Sequence, residues 1–258
     1  MHSVQRNGPP RPDSALSMLG RAFTLLTAFR PGDRELTLAE LARRTGIAKP
    51  TAHRLLGELA AWGVVERTDR GVRLGLRLFE LGQLVPRQRD LLDVAAPFLA
   101  DLFEATGETV HLAVPDGTEV VYVQKLVTST GPEAPSRLGG RMPAYCTGVG
   151  KAMLAFGPPQ RLDAVLAGGL IRRTPRTVIA PGLLRAELET VRRRGIAEEH
   201  EESAPGIACV AAPVLDANGR AVAAVSITGW AHRLHTARLA PAVRTAALGL
   251  SRALRTID

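Results

Sequence analysis

Residues 36–59 read Leu36-Thr37-Leu38-Ala39-Glu40-Leu41-Ala42-Arg43-Arg44-Thr45-Gly46-Ile47-Ala48-Lys49-Pro50-Thr51-Ala52-His53-Arg54-Leu55-Leu56-Gly57-Glu58-Leu59. Thr37 and Glu40 stand three apart, the spacing of a capping box, in which the hydroxyl takes the Glu40 N–H and the carboxylate returns to that of Thr37. Leu38, Leu41 and Ala42 share a face, and Gly46 ends the helix where a left-handed backbone is needed. Pro50 opens a second helix at a position whose N–H is not used. Ala52, Leu55, Leu56 and Leu59 then fall at i, i+3, i+4 and i+7 and form its buried stripe.

The chain continues into a short hairpin. Val64 to Arg67 and Val72 to Leu74 flank the turn Thr68-Asp69-Arg70-Gly71, with Gly71 supplying the bend. Arg67, Arg70 and Arg73 place cations along it. Upstream, Ala15 to Phe29 has apolar points at Leu16, Leu19, Ala22, Phe23 and Leu26, enough to complete a small three-helix core. Helix, glycine turn, helix and basic hairpin make a winged helix-turn-helix, a shape that fits the DNA major groove. Its expected contacts are Thr37, Ala48, Lys49, Thr51, Ala52, His53 and Arg54, with Arg70 and Arg73 from the wing. Any one of these cations, taken singly, reads as a solvated surface charge.

The 258 residues suffice for two domains, and 45% hydrophobic residues suit a globular chain with a proper core. The net charge of +8 suits an anionic partner. Residues 1–75 hold 12 Lys and Arg against 7 Asp and Glu, so the excess is concentrated where the winged unit lies. Cys146 and Cys209 are too few for a disulfide framework or a zinc cluster. No metal spacing, cofactor motif, signal stretch or membrane-length apolar run is present, so no metal, cofactor or membrane partner is expected, and a cytoplasmic place is.

Four segments are expected: a disordered arm over residues 1–14, the winged unit over 15–74, a linker helix over 75–90 that breaks at Pro86, and a second domain over 91–258. In the last, a helix from Leu91 to Thr106 stops at Gly107. Strands Thr109 to Val114 and Glu119 to Val127 surround a Pro115–Thr118 turn. A second pair, Ile207 to Leu215 and Val222 to Thr228, is joined by residues 216–220. Helices are expected at Val149 to Phe156, Leu183 to Arg194 and Leu239 to Leu254. The whole is an α+β chain, its second domain an antiparallel sheet with flanking helices. The acidic run Glu198 to Glu202 reads as a solvated loop, and His111 as a hydrogen-bonded core residue.

Gly140-Arg141-Met142-Pro143-Ala144-Tyr145-Cys146-Thr147-Gly148-Val149-Gly150-Lys151-Ala152-Met153-Leu154-Ala155 resembles the G-x-x-P…G-x-G-K-A-x-L-A signature of IclR-type transcriptional regulators. Arg194-Gly195, Glu198 to Glu202, Gly206 to Val214 and Ser226-Ile227-Thr228-Gly229 resemble the C-terminal signature of that family. Ile47 to Leu56 matches its DNA-binding helix, so the likeness runs collinearly over roughly residues 15 to 254. The resemblance implies a bacterial regulator with a winged helix domain and a GAF-like effector domain. It further implies a dimer, or a dimer of dimers, on a palindromic operator in double-stranded DNA. The effector it implies is a small organic acid, aromatic acids included.

Carried over residue by residue, the effector site falls on Met142, Gly148, Val149, Glu199, Ile207, Cys209, Ser226 and Thr228. Glu199 stands where some members have aspartate, and Thr228 where some have serine. The stretch Thr128 to Gly139 matches poorly. Independently of the family, Thr147 can cap a helix starting at Gly148, leaving N–H groups free for an anion. Ser226 and Thr228, two apart on a strand, face one side. Arg141 could add a charge-assisted bond or face solvent. Alternatively, the two hydroxyls satisfy each other or the sheet edge. A rival class is a thiol hydrolase using Cys146 or Cys209 with His111 or His200, but no base with an orienting third group is legible. A third reading is an architectural DNA-binding protein whose second domain binds nothing.

Overall fold

The computed structural model describes residues 17–255, with the backbone alone at 86–89. The arm expected over 1–14 and the first two residues of the opening helix lie outside the described residues. Two compact units divide the chain between Arg89 and Asp90.

In the first unit, α1 (Met18–Thr27), α2 (Leu38–Thr45) and α3 (Lys49–Ala61) precede a two-stranded wing, β1 (Val65–Arg67) and β2 (Val72–Leu74). Leu25, Leu41, Ala52, Leu55, Leu56 and Val65 form its small core. The Thr37 hydroxyl accepts the Glu40 N–H at 3.1 Å, which is half of the expected capping box. The other half does not form, because the Glu40 carboxylate turns to Arg43 and Arg44. Gly46 takes the left-handed angle, φ +70°. Gly71 needs no such freedom. A Cβ there would stand 2.3 Å from the Leu36 carbonyl, because Leu36 pairs with Val72 beside it. Close backbone approach, not turn geometry, demands that glycine.

The expected linker helix is two pieces. The short α4 (Arg77–Gln83) stops at Leu84, and α5 (Pro86–Thr106) starts at Pro86. Proline at a first helical position needs no N–H, so Pro86 opens a helix where the sequence suggested only a break.

In the second unit the strands β3 (Thr109–Asp116), β4 (Glu119–Leu126), β5 (Arg141–Pro143), β6 (Ala197–His200), β7 (Ile207–Leu215) and β8 (Ala221–Trp230) form one sheet. Its order is β5-β4-β3-β8-β7-β6, with every neighbouring pair antiparallel. Helices α6 (Gly148–Ala155), α7 (Pro159–Ala167), α8 (Pro181–Arg194) and α9 (Thr236–Leu254) complete it. Strand alternation sorts the faces. Val110, Leu112, Val210, Val225 and Ile227 pack with Leu99 of α5 and Val243 and Leu250 of α9. Ala113, Tyr122, Cys209 and Ala211 pack on the other face with Val149 and Met153 of α6 and Leu184 and Leu188 of α8.

Among the described residues, β5, α7, β6 and the 3-10 turn Ala144–Cys146 escape the sequence reading. Strand β6 takes up Glu198 to His200, and Glu199 and, in the turn after it, Glu202 are buried, which overturns the solvated-loop reading of the acidic run. Helix α9 also begins earlier than expected and carries Pro241 inside it.

Candidate functional site: a helix end over a sheet face, and a winged surface

On the first unit, α3 starts at Lys49 with Ala48 as its N-cap, and no side chain bonds its first N–H groups. Ala48, Lys49, His53 and Arg54 are exposed and Thr51 is half-buried. Ala52 must be corrected: it is fully buried in the unit's core, one position out of phase with the exposed face, so its side chain cannot be a contact. Thr37 is exposed, but its hydroxyl is already spent on capping α2. Arg54 bonds Glu58 at 2.6 Å along the helix, and Arg73 pairs with Glu66 across the wing at 2.6 Å. Both pairs are exposed, so exchanging the carboxylate for a phosphate costs little. Arg70 stands exposed at the wing turn. Arg44 has a different task. It bonds Asp33 at 2.5 Å, Glu40 at 2.9 Å and the Ala28 carbonyl at 3.0 Å, which ties α2 to the preceding loop.

In the second unit, register alone brings one row of polar groups together. Glu199 of β6 pairs with Cys209 of β7, Cys209 with Thr228 of β8, and Thr228 with Thr109 of β3. The N-terminus of α6 is seated on this row. Thr147 caps it, taking the Gly150 N–H at 3.2 Å. Gly148 lies so close to the sheet that a Cβ would stand 2.9 Å from the Cys209 sulfur. Between helix end and sheet is a cavity lined by Met142, Thr147, Gly148, Glu199, Ile207, Cys209 and Thr228. Its enclosed space is about 20 Å³, and about 300 Å³ with the part open to solvent.

Of the eight carried-over positions, Val149 and Ser226 do not line the cavity. Val149 is packed into the core beneath α6. Ser226 is one row along, between Ala211 and His111, with its hydroxyl toward the Cys209 thiol. Arg141 turns away to Asp116 and Glu119. The sequence reading omitted His111, Tyr122, Ser136 and Ser203, all in the lining. His111 holds Ser136 through Nε2 at 2.8 Å and approaches Thr228 through Nδ1 at 3.4 Å. The Ser136 carbonyl also takes the Lys125 ammonium at 2.6 Å. The poorly matching segment is therefore pinned over the cavity at Ser136. The alternation of β3, which puts His111 on the face of Ser226, was the available signal.

Burial sets the protonation of these groups. It pushes the Cys146 and Cys209 thiols up to about 12 and holds His111 down to about 3. Neither thiol is a nucleophile near neutral pH, which removes the basis of the hydrolase reading. Glu199 is raised to about 7, chiefly by burial and against the bonds its Oε1 takes from the Glu202 and Ser203 N–H groups at 2.7 and 3.0 Å. Behind α6, Lys151 is fully buried and bonds Glu187 at 2.6 Å and also Glu202. Burial opposes its charge, but the two carboxylates outweigh that and hold it above the usual lysine range. Among the described residues no cluster of His, Cys, Asp or Glu is placed to hold a metal ion.

The comparisons agree with this two-part construction. The description "IclR helix-turn-helix domain" matches residues 18–69, and "Bacterial transcriptional regulator IclR C-terminal" matches residues 83–252. The HTH-type transcriptional regulator XynR of Escherichia coli (strain K12) is 34% identical over 240 residues, covering 91% of this chain and 95% of its own. BhcR of Paracoccus denitrificans (strain Pd 1222) is 36% identical, covering 92% and 88%. Among solved structures, an IclR homolog from Microbacterium hydrocarbonoxydans complexed with 4-hydroxybenzoate superposes with a TM-score of 0.86. It is 29% identical and covers 93% of this chain and 100% of its own. The Thermotoga maritima IclR gives a TM-score of 0.76 at 35% identity, covering 92% and 98%. The chain belongs to the IclR family of bacterial transcriptional regulators.

Proposed function

We propose that this DNA-binding regulator reads a palindromic operator through the exposed face of α3 and the wing, and takes a small organic acid in the cavity beneath α6. The observation that carries the second half is the placement of the α6 N-terminus, the positive end of its dipole, over Cys209 and Thr228. Such an end attracts a carboxylate, and the hydroxyls and apolar wall orient the rest. The 4-hydroxybenzoate bound by the Microbacterium homolog favours an aromatic acid. An enclosed space of about 20 Å³ holds about one water molecule, so a ring compound must widen it. The segment pinned at Ser136 is the wall that gives.

Two copies of the chain suit the DNA-reading unit. One winged helix offers few base contacts, and a two-fold pair matches a palindrome. Leu76, Phe79, Leu81 and Leu84 are exposed on and around α4, as are Leu19 and Phe23 on α1, and these supply an apolar face for a second copy. No helix among the described residues is long and apolar enough to cross a membrane, and a DNA-reading role suits the cytoplasm. A thermal-shift screen tests the acid. A ligand at 100 times its Kd should add about 2.7 kcal/mol of stability. A panel including 4-hydroxybenzoate, benzoate and short aliphatic acids that gave no shift would remove this reading of the cavity.

A further inference from the structure

The cavity proposed for an acid has no cation in its lining; the Lys125 ammonium of β4 stands outside it, held on the Ser136 carbonyl at 2.6 Å. Among its described lining residues there is no Lys or Arg, and the group that can ionise there near neutral pH is itself an acid, Glu199. The charges around Glu199 do not change that. Lys151 reaches toward the Glu199–Ser203 turn from α6, but its ammonium is held by Glu187 of α8 and Glu202 of the turn, two carboxylates against one cation. Arg173, an exposed residue, bonds the Ser203 carbonyl at 3.4 Å and is not in the cavity lining. Cys209 of β7, Tyr122 of β4 and Cys146 ahead of α6 are neutral acids, and His111 of β3 is a neutral base. A carboxylate entering this site therefore meets a second carboxylate in a buried, water-poor space.

We propose that Glu199 and the carboxylate of a bound acid share one proton, so that the site takes up its ligand together with a proton from solvent. This rests on the reading of the cavity as an acid site. Two carboxylates at contact cannot both stay ionised when buried, and a shared proton turns their repulsion into a hydrogen bond. Glu199 is placed for that role. Its Oε1 is fixed by the Glu202 and Ser203 N–H groups and by the Ser203 hydroxyl at 3.3 Å, which holds the carboxyl in the cavity lining. The protonation of the ligand-free protein points the same way, since burial already raises Glu199 to about 7. The acid thus enters in its ionised form, Glu199 supplies or takes up the proton, and no other bond is made or broken.

The test is calorimetry with benzoate, phenylacetate and butyrate as probes, in pairs of buffers with different ionisation heats. Near pH 8.5, where Glu199 is mostly ionised, binding should take up about one proton per site, and near pH 5.5 about none. Affinity should fall about ten-fold for each pH unit above Glu199's own range. Glu199→Gln keeps the acceptor that holds the turn, and in it proton uptake should vanish and affinity should stop depending on pH. Thermal melts of that variant show that it is folded. Wild-type binding without proton uptake near pH 8.5, or uptake that persists in Glu199→Gln, overturns the shared proton while leaving the acid site standing. Failure of all three acids to bind removes the acid site and this inference with it.

Discussion

The ammonium of Lys151 is completely enclosed and bonded to the carboxylate of Glu202, an ion pair set directly behind the cavity. Glu202 closes the same turn whose N–H groups hold Glu199, so the pair fixes the wall on which the ligand would rest. Removing one partner of a buried pair leaves the other charge unpaired, at a cost of about 3–5 kcal/mol. Lys151→Met should therefore lower stability by roughly that amount in urea unfolding. Adding Glu202→Gln should recover part of it, because the stranded charge is gone. If the double variant is no more stable than the single one, the pair is not the source of the loss.

Glu199 makes stability depend on pH. Its folded value of about 7 lies above the ordinary 4.5, so its contribution is fully present below about 4.5 and is lost as pH rises through about 7. The variant Glu199→Gln never ionises. It should match the wild type near pH 4.5 and exceed it near pH 8 by roughly 3 kcal/mol, following the size of the shift. Melting curves across that range check the sign. A variant less stable than wild type at pH 8 would mean that Glu199 is ionised at little cost.

For the DNA face, Arg54 and Arg70 differ in kind. Arg54 projects from the recognition helix with Glu58 as its partner, whereas Arg70 stands exposed on the wing turn. Arg54→Ala should cost about 1–3 kcal/mol of operator affinity and relax sequence preference at one position. Arg70→Ala should weaken all duplexes alike and flatten the salt dependence by about one phosphate contact. Gel shifts at several salt concentrations separate the two. Equal effects on specific and random DNA from both changes would take Arg54 off the bases.

What could be read from residues alone follows the range of the physics involved. Local signals were legible: the Thr37 and Thr147 caps, the Gly46 stop and the apolar runs of β7 and β8 each depend on a few neighbouring residues. The acidic run failed because its burial is decided by a lysine some fifty residues earlier. Lys151 draws Glu202 inward, and strand alternation then puts Glu199 beside Cys209. The early end of the Glu40 capping box has the same cause on a smaller scale, since Arg43 and Arg44 outbid a backbone N–H. At the cavity, the family signature reached the helix end and the strand hydroxyls. It did not reach Ser136, which closes the cavity through His111 and Lys125 from a segment without a motif.

Association should depend on the apolar face of α4. Phe79 is 63% exposed and Leu76 66%, an unusual cost for a free surface. Phe79→Glu should leave the winged core intact, since the side chain is not part of it, and shift the protein toward monomer in light scattering at micromolar concentration. Operator affinity should fall with it, because each half-site then binds alone. A wild-type protein that is monomeric with and without DNA would exclude this interface.

The last prediction separates the two hydroxyls on β8. Thr228 lines the cavity beside Cys209, whereas Ser226 faces the thiol from one row along. If the ligand is bonded by the strand, Thr228→Val removes a donor at constant volume and should weaken effector binding about ten-fold, the worth of one hydrogen bond. Ser226→Ala should weaken it less, acting only through the setting of Cys209. Neither residue touches the winged unit's core, so operator binding without effector should stay as in the wild type. The response, however, should move to higher effector concentration in Thr228→Val, since a ligand shifts DNA affinity only by its differential binding to the two forms. Operator titrations with increasing 4-hydroxybenzoate or benzoate read that midpoint directly. An unchanged midpoint in Thr228→Val, together with a shifted one in Ser226→Ala, would move the ligand one row along the sheet, toward His111.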